Sequence, residues 1–337
     1  MAAETADRTD DGTGTGGAAG PRRGLVLGGG GSLGAAWTVG ALCALQDACG
    51  WDPRRADVVM GTSAGAIVGA LLALGAAPAD LLDHQRGGEP PDGPMAGVRL
   101  DYDTWVGGAL PRLPRPGVGS LKLFRDLAGH PHRMPLPTVL AAAAPPGRGS
   151  LGGVRALFEQ LQLEDRWPDP PKLRVVSVEL DTGTRVRFGT SDAPATDLAS
   201  AVTASCALPA WFEPVRIDGR RFVDGCAWSD TNLDLLAGEP VDEVFVLAPT
   251  CARETDHPRS VPARVERHLR RTSTLRLLRE ARLVRETGAQ VHVLVPGPED
   301  LAAMGANLMA PQKRLTVLET SLRTTAAALA ETGPGGL

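Results

Sequence analysis

Apolar residues in this chain fall into short runs separated by glycine-rich or polar turns. Gly24-Leu25-Val26-Leu27 and, directly after Asp57, Val58-Val59-Met60 are short apolar runs, which predicts buried strands. Each leads into a helical pattern: residues 35–48, with Val39, Leu42, Cys43 and Leu45 at helical spacing, and residues 66–74. This strand-loop-helix order predicts an α/β fold, a parallel sheet covered by helices with its functional loops at the strand C-termini. Further along, the pattern predicts a helix over 154–163, a strand over 172–180 and a hairpin partner over 185–188. A helix over 195–205 and a hairpin over 215–223, turning at Asp218-Gly219, follow. Strands over 243–248 and 290–295 enclose a long helix over 262–287, closed by Gly288, and the chain from residue 300 reads as helix.

Two stretches break the rhythm. Residues 1–21 are acidic, then rich in Gly, Thr and Ala, and are expected to stay disordered. Residues 87–153 are dense in Pro and Gly, with Trp105, Leu110, Leu113 and Phe124 set among Arg112, Arg115, Lys122, Arg125 and Arg133. That excursion reads either as cover for one edge of the core or as a flap over the functional site. The rest forms one domain over 22–332, with a motif-bearing core over 24–236 and an extension over 241–332.

Bulk properties narrow the partners. The 337 residues carry a net charge of −4, which predicts no nucleic-acid binding. Five cysteines lack any Cys-x-x-Cys pair, and six histidines lack any His-x-x-x-His pair, so neither a metal site nor a disulfide framework is expected. The N-terminus has no apolar signal region, and no run of about 18 apolar residues occurs. A cytoplasmic location is the expectation.

The chemistry centres on Gly61-Thr62-Ser63-Ala64-Gly65. A strand before this Gly-x-Ser-x-Gly and a helix after it make a nucleophile elbow, which lifts Ser63 clear of the sheet at a helix N-terminus. Serine then needs a base and donors for the oxyanion. The glycine loop at Gly29, Gly30 and Gly31 offers bare amides, and Ala64 offers another. Gly29-x-Gly31-x-x-Gly34 also matches a dinucleotide fingerprint, but the second strand ends in the elbow rather than in an acidic residue that would hold a ribose. No cofactor is therefore expected. For the base, His257, His268 and His292 are the late histidines a Ser-His-Asp esterase would need, and no turn motif announces any of them. Asp224 ends a strand and precedes Gly225, so it is either a turn former or a carboxylate that takes the serine proton directly.

The helix over 262–287 carries eight arginines among Leu269, Leu275, Leu277, Leu278 and Leu283. It reads as a solvated helix packed on the sheet by its leucines, or as a surface for anionic lipid head groups and thus peripheral membrane contact.

The loop Gly29-Gly30-Gly31-Ser32-Leu33-Gly34, the elbow and Asp224-Gly225-Cys226 resemble, in order and spacing, the motifs of patatin-like phospholipases. Ser205-Cys206-Ala207-Leu208-Pro209-Ala210-Trp211-Phe212-Glu213-Pro214 and Asn232 add to the resemblance, which covers residues 24–236 outside the excursion. It implies a three-layer α/β/α sandwich and a serine acyl hydrolase acting on carboxylic esters of lipids or lipid-like molecules. Ser63 would be the nucleophile, and Asp224 the base for Ser63 and then for water. The Gly29, Gly30 and Gly31 amides would form the oxyanion hole, and this chemistry needs no metal. Two positions depart from the family pattern: Leu33 stands where Arg or Lys is common, and Cys226 where Gly or Ala is common. A catalytically silent lipid-binding protein would keep the same pocket without turnover.

Overall fold

The computed structural model describes residues 20–102, 113, 116–123, 125, 134–161, 167–252 and 260–333. Residues 1–19 of the tail expected over 1–21, with Trp105, Leu110, Arg112, Arg115, Phe124, Arg133 and His257, lie outside the described residues.

The chain begins with β1 (Arg23–Leu27), α1 (Gly31–Cys49), β2 (Val58–Thr62) and α2 (Ala64–Ala73). Then come α3 (Pro78–Gln85), α4 (Leu136–Ala143), α5 (Gly152–Gln160), β3 (Lys172–Glu179), β4 (Arg185–Phe188) and α6 (Leu198–Ser205). β5 (Val215–Ile217), β6 (Arg220–Asp224), β7 (Glu243–Leu247), α7 (Val261–Arg285), β8 (Gln290–Leu294), α8 (Pro298–Met304) and α9 (Arg314–Thr332) complete it. α3 has no counterpart in the sequence reading: its apolar positions are few, and Pro78 at its first turn is the main local signal.

The sheet runs β5-β6-β3-β2-β1-β7-β8, with β4 on β3. β3, β2, β1, β7 and β8 are parallel neighbours. Alternation along the strands divides the core. Leu25, Leu27, Val59, Leu173 and Val175 pack with α1, α2, α5, α6 and α9, while Val26, Val58, Met60, Val244 and Val246 pack with Leu277, Ala281 and Val284 of α7. The result is a three-layer α/β/α sandwich with a mostly parallel sheet. β7 and β8 sit beside β1, so the extension is part of the same sheet.

Pairing at β3 decides where the functional residues meet. Ser177 and Val178 pair with both β4 and β6, so those strands hold opposite edges of β3. Val175 and Val176 pair with both β2 and β4, so β2 and β6 share one edge, end to end. β2 stops at Thr62 opposite Val176, and antiparallel β6 stops at Asp224 opposite Ser177. Two C-terminal strand tips thus abut. Gly225 fits the junction because a Cβ there would lie 2.7 Å from the Val176 carbonyl and 2.9 Å from Thr62 Cγ2.

Where described, the excursion covers this region. Thr138 of α4 donates to the Ala227 carbonyl at 2.6 Å, and Ala141 packs with Val178, Val223 and Ala227. The Gly149 amide donates to Trp211 at 2.8 Å. α7 departs from the expected packing. Only Leu277 of its five leucines is buried, whereas Arg267, Arg270 and Glu280 face inward. Each inward charge has partners that offset its desolvation. Glu266 pairs with both arginines, Arg270 donates to the Pro249 carbonyl at 2.6 Å, and Glu280 accepts from Thr231 at 2.7 Å and from the Leu233 amide at 3.0 Å.

Candidate active site

Ser63 occupies the turn between β2 and α2 with φ 54° and ψ −122°, a left-handed conformation that a side chain adopts only under constraint. The constraint is closeness. A Cβ at Gly61 would sit 2.5 Å from Ala66 Cα, and one at Gly65 would sit 2.1 Å from the Leu27 carbonyl oxygen. Both positions must therefore be glycine.

The Ser63 hydroxyl donates to Asp224 Oδ2 at 2.6 Å. Asp224 Oδ1 accepts from the Cys226 amide at 2.8 Å, and the Asp224 amide donates to the Ala207 carbonyl at 3.0 Å. The carboxyl is 1% exposed, and burial raises its pKa to about 6 against the opposing pull of the Ser63 and Cys226 hydrogen bonds. A carboxylate so raised is ionised at neutral pH yet basic enough to accept a proton. Cys206 and Cys226 flank the pair. Burial first, then the Asp224 charge, pushes both thiols well above their usual range, so neither is a ready thiolate.

Asn232 ties the two strand tips together. Its amide group donates to Thr62 Oγ1 at 3.1 Å and, just past the end of β6, to the Gly225 carbonyl at 3.4 Å, with a further bond to the Ser229 carbonyl at 2.7 Å. Ser205 is a structural member of the site that sequence reasoning passed over: its hydroxyl accepts from the Ser63 amide and donates to Val176. The signal was its place at the head of the segment 205–214, where it counted only as part of a resemblance.

The three loop glycines separate. The Gly29 amide donates to the Asp230 carbonyl at 2.9 Å, which removes it from the expected oxyanion donors. Gly29 serves by being bare, since a Cβ there would lie 2.3 Å from Cys226 Sγ and 3.1 Å from Ser63 Cβ. The Gly30 and Gly31 amides have no hydrogen-bond partner among the described residues, and both glycines line the cavity that holds Ser63. The Ala64 amide opens α2 and faces the same cavity, unpaired as helix N-terminal amides are. Leu33 is wholly buried in the core, so no charged group stands at that position of the loop.

The cavity measures about 480 Å³ and lies at the C-terminal ends of β1, β2 and β7. Helices leave β1 and β2 toward one face and β7 toward the other, which opens a crevice between β1 and β7. Leu151, Leu208, Trp211 and Phe212 form one wall; Leu269, Arg270 and Ser273 of α7, with Leu308 and Met309, form another. This is a largely apolar slot, and Ser63 and Asp224 are among its lining residues. Among the described residues no histidine reaches Ser63. His292 lies between β-sheet neighbours and pairs with Glu243 at 3.1 Å, His84 contacts Tyr102, and His268 is exposed on α7. No metal-binding cluster of His, Cys, Asp or Glu occurs among the described residues.

The chain is similar to several solved structures. VipD from Legionella pneumophila is 16% identical with a TM-score of 0.41, over 93% of this chain and 67% of that one. The type III effector ExoU is 17% identical with a TM-score of 0.34, over 92% of this chain and 53% of ExoU. In the ExoU–SpcU complex from Pseudomonas aeruginosa the match is 20% identical with a TM-score of 0.29, over 93% and 60% of the two chains. This chain therefore spans about half to two thirds of those proteins. No curated protein matches it. The family model of the patatin-like phospholipases matches residues 25–237, the stretch from β1 to just past Asn232 that contains both strand tips and the glycine loop. The chain belongs to the patatin-like phospholipase family.

Proposed function

We propose that this protein is a serine hydrolase that cleaves carboxylic esters of lipids or lipid-like molecules by a Ser63–Asp224 dyad. Asp224 takes the Ser63 proton as the oxygen attacks the ester carbonyl. The amides of Gly30, Gly31 and Ala64 receive the oxyanion. Collapse breaks the acyl–oxygen bond, and Asp224 returns its proton to the departing alcohol, leaving an acyl-Ser63 ester. Water then gives a proton to Asp224 and attacks the acyl carbonyl. The second collapse releases a carboxylic acid and restores Ser63 with the proton held by Asp224.

The observation that carries this reading is the buried 2.6 Å hydrogen bond from Ser63 to Asp224 at the base of an apolar cavity. The elevated pKa of Asp224 and the unpaired loop amides support it. Family membership supports the lipid ester class. The test is hydrolysis of a p-nitrophenyl ester by wild type and Ser63→Ala. Turnover that disappears in the variant is expected; equal rates, or none in wild type, would overturn the reading.

A further inference from the structure

α7 carries its charge and its grease the wrong way round for a helix that only packs on a sheet. Arg267, Arg270 and Glu280 are inside, while Val261, Val265, Leu269, Leu275, Leu278 and Leu283 are each between 49% and 69% exposed. Six aliphatic side chains on one helix, open to water, exceed what scattered surface residues explain. Arginines share that outward side: Arg264, Arg271, Arg279 and Arg282 are exposed, against Glu286 as the one exposed acid from α7 through its C-cap. A helix of strong positive charge thus stands out on a chain whose net charge is −4.

From this we propose that the outer face of α7 docks on an anionic lipid surface. The apolar side chains enter the acyl–headgroup boundary and the arginine heads remain at the level of lipid phosphates. Charge complementarity favours this occupant over a second copy of a net-acidic chain carrying the same basic helix. Position favours it too. Leu269 belongs to the exposed stripe and also lines the Ser63 cavity, whose wall Arg270 and Ser273 continue. Docking by this face sets the cavity mouth at the lipid, so an acyl ester can enter without crossing water. Only this last step rests on the ester-hydrolase reading; adhesion to lipid does not.

The test uses full-length Ser63→Ala protein, which cannot turn over by that route, sedimented with vesicles of phosphatidylglycerol or of phosphatidylcholine. Binding to phosphatidylglycerol is expected, weakened by salt and at least tenfold poorer on phosphatidylcholine. Adding Leu275→Glu with Leu278→Glu, or Arg271→Glu with Arg279→Glu, should weaken it at least tenfold as well. The same pairs on a Ser63 background should leave hydrolysis of a water-soluble short-chain ester unchanged, which shows that they fold. No binding, equal binding to both lipids, or a dimer abolished by these substitutions overturns the proposal. Binding without any ester turnover would instead defeat the hydrolase reading and leave the docking surface standing.

Discussion

The Ser205 hydroxyl accepts a hydrogen bond from the Ser63 amide at 2.9 Å and donates one to the Val176 carbonyl at 2.6 Å. It bridges the gap where the β2–β3 ladder stops and the chain turns into the elbow. Without it, a buried donor and a buried acceptor both lose their partners beside the strained serine.

Ser205→Ala should therefore lower stability by about 1–3 kcal/mol. It should also cut kcat by roughly tenfold or more while KM stays within about twofold, because it shifts Ser63, the proposed nucleophile, without touching the rest of the cavity lining. Thermal melts and steady-state kinetics on a p-nitrophenyl ester read both effects. An unchanged kcat would mean that the elbow holds Ser63 unaided.

With Asp224 as the proposed base, a pH dependence follows for both rate and stability. With its pKa at about 6, kcat/KM should fall as pH drops below about 6, because the protonated carboxyl cannot take the serine proton. In folding terms the shift is upward from 3.8, so the folded state holds a proton that the unfolded state has lost between about pH 4 and 6. Stability falls as pH rises through that window, and the full cost, on the order of 3 kcal/mol, is present above it. Asp224→Asn should then melt at higher temperature than wild type near pH 8, with the gap closing near pH 4. Melting curves at the two pH values check this.

Gly29 and Cys226 form a steric pair. Gly29→Ala puts a methyl group against Cys226 Sγ and Ser63 Cβ, and should cost about a hundredfold in turnover through displacement of the serine. Cys226→Ala alone should be near wild type. The double variant should recover part of the loss, since the sulfur is the nearer of the two obstacles. No recovery would mean that Ser63 itself, and not the thiol, blocks the methyl.

The elbow, the glycine loop and most strands were legible because each is a local pattern, an apolar run ended by small residues. For Asp224 the residues alone left two readings open, a turn former or a carboxylate that meets Ser63, and the resemblance favoured the second. What brings Ser63 and Asp224 together is the antiparallel seat of β6 on Ser177–Glu179, a tertiary pairing that neither strand announces. Gly29 was assigned as an oxyanion donor because nothing near it in sequence shows that its amide is taken by Asp230. The direction in which α7 faces was likewise hidden. Arginines and leucines recur all round the helix, and partners as distant as Pro249, Thr231 and Leu233 decide which of its charges turn inward.

The identity of the base is the claim on which the proposed chemistry rests, and it separates this account from a histidine-based esterase. The direct measurement compares p-nitrophenyl ester turnover by Asp224→Asn, His257→Ala, His268→Ala and His292→Ala with wild type. Loss of about a thousandfold or more in Asp224→Asn, with each histidine variant keeping most of its activity, is the predicted result. Substantial turnover in Asp224→Asn, or a histidine change that abolishes it, would contradict the account.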